Sequence, residues 1–201
     1  MIEFGPDGVT VDAKYVPYGE VPDCVRTHLA RVPRTLEIEA MAKELSGHGF
    51  QESEVAAFVR AVCTWGGYAG IAGRVLRDNS LHEVATSFRD ALRDLESGVD
   101  VAVRRVLALR QLGVSFASKH LRFLAPQACS ILDSKMAAAA EFASNPRGLA
   151  QYSALCMSLS ERLQARQIED PVQRPGGRWY PADVDMALFA ITRCWTSGRA
   201  G

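Results

Sequence analysis

Apolar side chains recur at helical spacing through most of this chain. Val55, Phe58, Val59, Val62 and Cys63 mark a helix over 52–65, stopped by Gly66 and Gly67. Leu81, Val84, Phe88, Leu92 and Leu95 mark another over 81–95, with Asn79 and Ser80 ahead of it as caps. Val99, Val103, Val106, Leu107 and Arg110 fall in a third over 99–111, and Val184, Leu188, Ile191 and Trp195 in a last one over 181–196. Shorter or less regular patterns predict helices over 23–31, 35–46, 68–77 and 134–143, and a long one over 146–168. Pro33 separates the first two of these, and a Pro/Gly loop fills 171–177.

The first 22 residues are different. Gly5, Pro6, Gly8, Pro17, Gly19 and Pro22 break any helix, and VTVDAKYV fits a short strand or an extended arm. The fold class expected is all-α, with about eight to ten short helices in a single domain over 1–201 and an extended arm over 1–22.

Composition narrows the function classes. No apolar run reaches the length of a membrane span, and the N-terminus lacks the basic-then-apolar pattern of a signal peptide. The expectation is a cytoplasmic monomer that does not engage a membrane. The five cysteines, at 24, 63, 129, 156 and 194, have no CxxC spacing, and the four histidines are scattered. Neither a metal site nor any other cofactor is expected. Net charge is zero, but the charges are uneven. Glu37, Glu39, Glu44, Glu52 and Glu54 make 35–54 acidic. Arg104, Arg105, Arg110, Lys119, His120, Arg122 and Lys135 make 104–135 basic, with no acidic residue before Asp133. A basic patch of this kind suits phosphate contact.

The basic stretch contains LGVSFASKHLRFLAPQACSILD, residues 112–133. Gly113 follows an apolar helix end, where a positive φ is expected. A new helix near Ser115 would present free N–H groups to a phosphate. Lys119 lies among Phe116, Ala117, Leu121, Phe123 and Leu124, and an amine losing solvation there becomes a better nucleophile. Such an amine can attack a sugar C1′ and form a Schiff base, with ionised Asp133 stabilising positive charge on the sugar. Both residues also have a plain structural reading, Lys119 as a snorkelling surface side chain and Asp133 as a helix cap.

LGVSFASKHLRFLAP followed by ILDSKM resembles the hairpin-plus-aspartate region of the helix-hairpin-helix DNA glycosylase superfamily, in particular its bacterial 8-oxoguanine DNA glycosylase-fold branch. The resemblance spans roughly 52–196, with its specific motifs in 62–79 and 112–136. It implies a two-lobed helix-hairpin-helix fold with the hairpin over 104–125. It also implies Lys119 as nucleophile and Asp133 as the essential carboxylate. Gly113, Ser115, Ser118 and His120 would then meet DNA. The helix end at Trp65, Gly66 and Tyr68 would fill the gap left by a flipped base, although Trp65 equally fits the core. Arg74, Arg77 and Asn79 would face phosphates. Trp179, Asp183, Asp185 and Phe189 would form the base pocket, although Asp183 also fits a helix start and Phe189 the core.

The implied partner is double-stranded DNA carrying a damaged or modified base, either 8-oxoguanine or a hypermodified phage base. The implied activity is base excision with AP lyase activity, in DNA repair or phage defence. The hairpin departs from the family's Leu-Pro-Gly-Val-Gly pattern: it has no Pro, Ser115 stands in place of the second Gly, and Lys119 comes late. The alternative is a catalytically inert helical DNA-binding or interaction protein, which zero net charge favours.

Overall fold

The computed structural model describes residues 1–195. The breaker-rich start is a small antiparallel sheet of β1 (Ile2–Phe4), β2 (Gly8–Val11) and β3 (Lys14–Pro17). Val9 pairs with Val16 across β2 and β3, and both are buried along with Val11. Asp12 and Ala13 make the two-residue turn with φ of 48° and 65°, the left-handed pair that matches strand twist in a hairpin. Gly8 is required by space, since a Cβ there would lie 2.4 Å from the Val16 carbonyl oxygen. The arm is thus a sheet whose own ladder satisfies its backbone.

The rest is mostly helical. Among the described residues the α-helices are α1 (Val21–Arg31), α2 (Thr35–Gly47), α3 (Glu52–Trp65), α4 (Gly70–Asp78), α5 (Leu81–Asp94), α6 (Val99–Leu107), α7 (Val114–Leu124), α8 (Ser134–Ala140), α9 (Pro146–Ala165) and α10 (Pro181–Thr192). None is long and apolar enough to cross a membrane.

Four helices end earlier than the apolar pattern predicts. α6 stops at Leu107 because the following residues turn towards α7, with Gln111 at φ 76°. α8 stops at Ala140, where Glu141 takes a left-handed conformation with φ 58°. α9 and α10 end at Ala165 and Thr192. Residue 196, the predicted end of the last helix, lies outside the described residues. α5 starts with a capping box between Ser80 and Glu83, the stop–start signal expected there.

Packing sorts the helices into two groups. α1, α8 and α9 lie against α10, and the sheet joins this group through β2. α2 to α6 pack among themselves and around α7. Residues 1–31 and 134–192 therefore build one side, and residues 35–107 the other. α6 and α7 touch α9 and join the two. α7 is deeply enclosed: all residues from Ala117 to Leu124 are buried. A cleft opens where α1, α10 and the start of α8 meet α7 and the end of α3.

Candidate functional site

The cleft holds about 190 Å³ and is lined by Lys119 and Arg122 of α7, Trp65 and Gly66 at the end of α3, and Asp133 ahead of α8. His28 of α1, Asp185 and Phe189 of α10 and Trp195 also line it. The proposed lysine and aspartate thus share one small cavity, and sequence alone placed them only 14 residues apart on different elements.

Lys119 is 6% exposed. Its Nζ donates to the Ser115 hydroxyl at 2.8 Å and lies 4.7 Å from the centre of the Phe116 ring. Ser115, which departs from the family hairpin, therefore occupies the position one helical turn back that holds the amine. Burial lowers the Lys119 pKa below the usual amine value, against the attraction of Asp133 and Asp185. No carboxylate makes an ion pair with it among the described residues.

Asp133 caps α8. Its Oδ1 accepts from the N–H groups of Lys135 and Met136, both at 3.0 Å. Oδ2 has no protein partner among the described residues, so one oxygen caps the helix and the other is available to the cleft. The cap reading is thus met by one oxygen of the side chain. Ser118, fully buried, fixes the distance between the two elements: its hydroxyl donates to the Ser115 carbonyl at 3.0 Å and accepts from the Leu132 N–H at 3.2 Å. It ties α7 to the segment that carries Asp133 and is out of reach of any DNA.

Asp185 is buried beneath the cleft. Tyr152 donates to its Oδ1 at 2.8 Å and the Ile131 N–H to its Oδ2 at 3.3 Å. Burial pushes its pKa up to about 7. Phe189 packs edge-on against His28 at 5.7 Å and against Trp195 at 5.6 Å. These two of the four expected pocket residues are in the cleft. Trp179 and Asp183 are not. Trp179 is buried elsewhere, its Nε1 donating to the Ile168 carbonyl at 2.7 Å. Asp183 is fully buried at the start of α10, where it holds Arg174 at 2.6 Å and caps the helix through the Tyr180 N–H. Its oxygens are consumed, so it cannot read a base.

The basic patch also resolves differently. His120 is fully buried, stacked on Phe88 at 5.4 Å, with Nδ1 2.7 Å from the Phe116 carbonyl oxygen. Burial holds its pKa down at about 4. It touches no phosphate. Arg122 is fully buried and pairs with Glu39, which also pairs with Arg174, itself bound to Asp183. Two cations and two anions thus alternate through α7, α2, the 171–177 loop and α10. Burial opposes ionisation of Glu39, but Arg122 and Arg174 hold its pKa below the ordinary value. With Lys119, three of the expected phosphate-facing cations are interior. Arg104, Arg110 and Lys135 stay exposed, and exposed Arg105 is paired with Asp94. A charge count along the sequence cannot see that α7 has no solvent face.

The hairpin turn itself is well built. Gly113 has φ −92° and ψ 173°, extended backbone, and the left-handed residue is Gln111. Gly113 therefore does not serve as the positive-φ residue. It is exposed, with open space around its missing Cβ. The N–H groups of Gly113, Val114 and Ser115 donate to no protein oxygen among the described residues, and no acidic residue sits in the first turn of α7. Asn79 clamps the turn: its amide donates to the Val75 and Arg110 carbonyls at 2.8 and 3.1 Å, and its Oδ1 accepts from the Arg110 N–H at 2.9 Å. It faces inward, not towards a phosphate, and Arg77 is tied to Asp78 at 2.8 Å.

At the end of α3, Trp65 lines the cleft and its Nε1 donates to Thr35 at 3.0 Å, so it is a wall and not a free wedge. Tyr68 is 53% exposed, with Arg74 stacked 5.3 Å above its ring. Gly66 lies against the lysine: a Cβ there would be 3.0 Å from Lys119 Cδ.

Sequence reasoning missed His28 and the Glu39 pairing. Both carried a signal. His28 follows Val21, Cys24 and Val25 on the buried face of α1, and Glu39 shares its face of α2 with Thr35, Ile38 and Ala42. A polar residue on an apolar stripe either has a buried partner or lines a site.

No known protein family, curated protein or solved structure matches this chain.

Proposed function

We propose that this protein is a DNA N-glycosylase with AP lyase activity, acting through a Schiff base on Lys119. The observation that carries this reading is the meeting of a desolvated, unpaired lysine and an aspartate with one free oxygen in a small cleft walled by aromatic rings. A base swung out of the duplex fills the cleft between Phe189 and Trp65. The Lys119 amine forms a bond to C1′ while the N-glycosidic bond breaks, and its electron pair leaves with the base, which takes up a proton. Asp133 Oδ2 stabilises the positive charge that builds on the sugar. The sugar ring then opens to the Schiff base, and loss of a C2′ proton expels the 3′ phosphate. The open N–H groups at Gly113 to Ser115, together with Arg110, hold the backbone. Exposed Tyr68 takes the space the base vacates.

The test is borohydride trapping on duplexes containing 8-oxoguanine, uracil, alkylated purines or phage-type modified cytosines. The expected result is a covalent protein–DNA adduct with one of these, lost in Lys119→Met. No adduct with any duplex, together with base excision unchanged in Lys119→Met, would refute it.

A specific observation favours a second reading, a catalytically inert helical DNA-binding or interaction protein: burial of Lys119, His120 and Arg122 removes much of the apparent basic patch. An inert DNA binder shows salt-dependent affinity that survives Lys119→Met with no excision, and a protein-interaction module shows no such affinity at all.

A further inference from the structure

We propose that His28 and Arg122 form a recognition wall in the cleft that reads the adjoining carbonyl and N–H of a neutral lactam heterocycle. Neither residue has a role in the chemistry above. His28 is 4% exposed, and neither of its ring nitrogens has a hydrogen-bond partner among the described residues. Arg122 is fully buried, and its Nη2 is also unpartnered while Nη1 is held by Glu39. Other buried side-chain atoms lack partners, on Glu54, Arg74 and His120, but those residues do not line the cleft. His28 and Arg122 both do, alongside Lys119. Buried polar groups are almost always satisfied, so three unpartnered nitrogens on two residues that line one cleft point to polar atoms of a ligand.

The chemistry of the wall selects the ligand. A guanidinium can only donate, so the atom opposite Nη2 is an acceptor such as a carbonyl oxygen. Burial and the nearby Arg122 charge keep His28 neutral, with a pKa of about 3. A neutral imidazole has one N–H and one bare nitrogen, so it accepts from a ring N–H and can donate to a second acceptor. A carbonyl beside a ring N–H meets both residues. The Phe189 ring beside His28 and the Trp65 ring across the cleft supply apolar faces for a flat ring system. The cleft, about 190 Å³, has room on the order of six waters. That accommodates one flat heterocycle of nucleobase size. Naming the heterocycle as a nucleobase rests on the glycosylase reading, and the polar wall does not.

The experiment is calorimetric titration of the full chain with free uracil, hypoxanthine, adenine and 1,3-dimethyluracil. The proteins are wild type, His28→Phe and His28→Gln. Uracil or hypoxanthine is expected to bind wild type. Adenine, without a carbonyl, and dimethyluracil, without an N–H, are expected to bind at least about ten-fold more weakly. His28→Phe loses the discrimination against dimethyluracil, and His28→Gln, which keeps a donor and an acceptor, retains it. Binding of dimethyluracil as tightly as uracil, absence of binding by both lactams, or discrimination unchanged in His28→Phe overturns the proposal. The wild-type comparison stands even if His28→Phe fails to fold. Loss of borohydride trapping with lactam binding intact defeats the glycosylase reading alone, and trapping with no discrimination between uracil and dimethyluracil defeats the recognition wall alone.

Discussion

Two adjacent glycines at the end of α3 should respond in opposite ways to the same substitution. Gly66 has φ −70°, a conformation any residue adopts, so alanine there meets no backbone strain. Its new Cβ would lie 2.9 Å from Phe116 Cε1, 3.0 Å from Lys119 Cδ and 3.2 Å from Lys119 Cε. Ordinary carbon contacts begin near about 3.5 Å, so the outer stem of Lys119 must retreat by roughly half an ångström. Gly67 has φ +83° and open space where its Cβ would go. Alanine there touches nothing but is forced into the left-handed region, at about 1–2 kcal/mol.

Gly66→Ala is therefore expected to change stability by less than about 1 kcal/mol, because relief of unfolded-chain entropy offsets the local crowding. Its effect falls on the amine. A misplacement of about 1 Å can cost roughly a hundred-fold in rate, so a shift of half that predicts about a ten-fold slower single-turnover excision and imine trapping. Gly67→Ala is expected to lower stability in urea denaturation with the trapping rate unchanged. A readout independent of any DNA substrate is reductive labelling of Lys119 by a small aldehyde, followed by mass spectrometry. The labelling rate should change in Gly66→Ala and not in Gly67→Ala. Wild-type labelling and trapping rates in Gly66→Ala would refute the claim that this helix end positions the lysine.

Three further outcomes follow from the site. Asp133→Asn keeps an oxygen to cap α8 but removes the charge, so helix content and melting temperature should hold while excision falls at least about a hundred-fold; equal activity would leave Asp133 with the cap alone. Arg122→Met leaves Glu39 buried with only Arg174, and urea denaturation should show a loss of about 3–5 kcal/mol, where a loss under about 1 kcal/mol would mean the pair is not formed in solution. Asp185 has its pKa raised from 3.8 to about 7, so its contribution to stability is full below pH 4 and disappears as pH rises through 7. Asp185→Asn should therefore gain stability relative to wild type between pH 5 and 8, by an amount bounded on the order of 4 kcal/mol, and a difference that does not vary with pH would refute the burial argument.

Much of the helical frame was legible because its signal is local. α3 and α5 repeat their apolar residues every three or four positions, and the Ser80–Glu83 box marks where one helix stops and the next starts. The N-terminal sheet was half legible: breakers exclude a helix, but the pairing of Val9 with Val16 depends on a turn made by Asp12 and Ala13, neither of them the glycine usually sought there. The turn between α6 and α7 is built differently from the Gly113 turn that the sequence suggested. Its left-handed residue is Gln111, and what holds the turn is Asn79, 31 residues before Arg110. That contact has no local signature.

The same limit explains why one basic residue of α7 fits a nucleophile and its neighbour one turn on does not. Lys119 and Arg122 both lie in a helix buried on every side, and sequence shows them as two equivalent positive charges. Burial acts on both, but their outlets differ. Arg122 meets Glu39, delivered from α2 at a separation of 83 residues, and a guanidinium cannot shed its proton, so it stays charged and structural. Lys119 meets the hydroxyl of Ser115 within its own helix, and Asp133 and Asp185 share its cleft without pairing to it. An amine so placed has the option the guanidinium lacks, which is to lose its proton and become a nucleophile. The division of labour within α7 is thus set by which long-range carboxylate reaches which cation, and that is decided by the packing of α2 against α7.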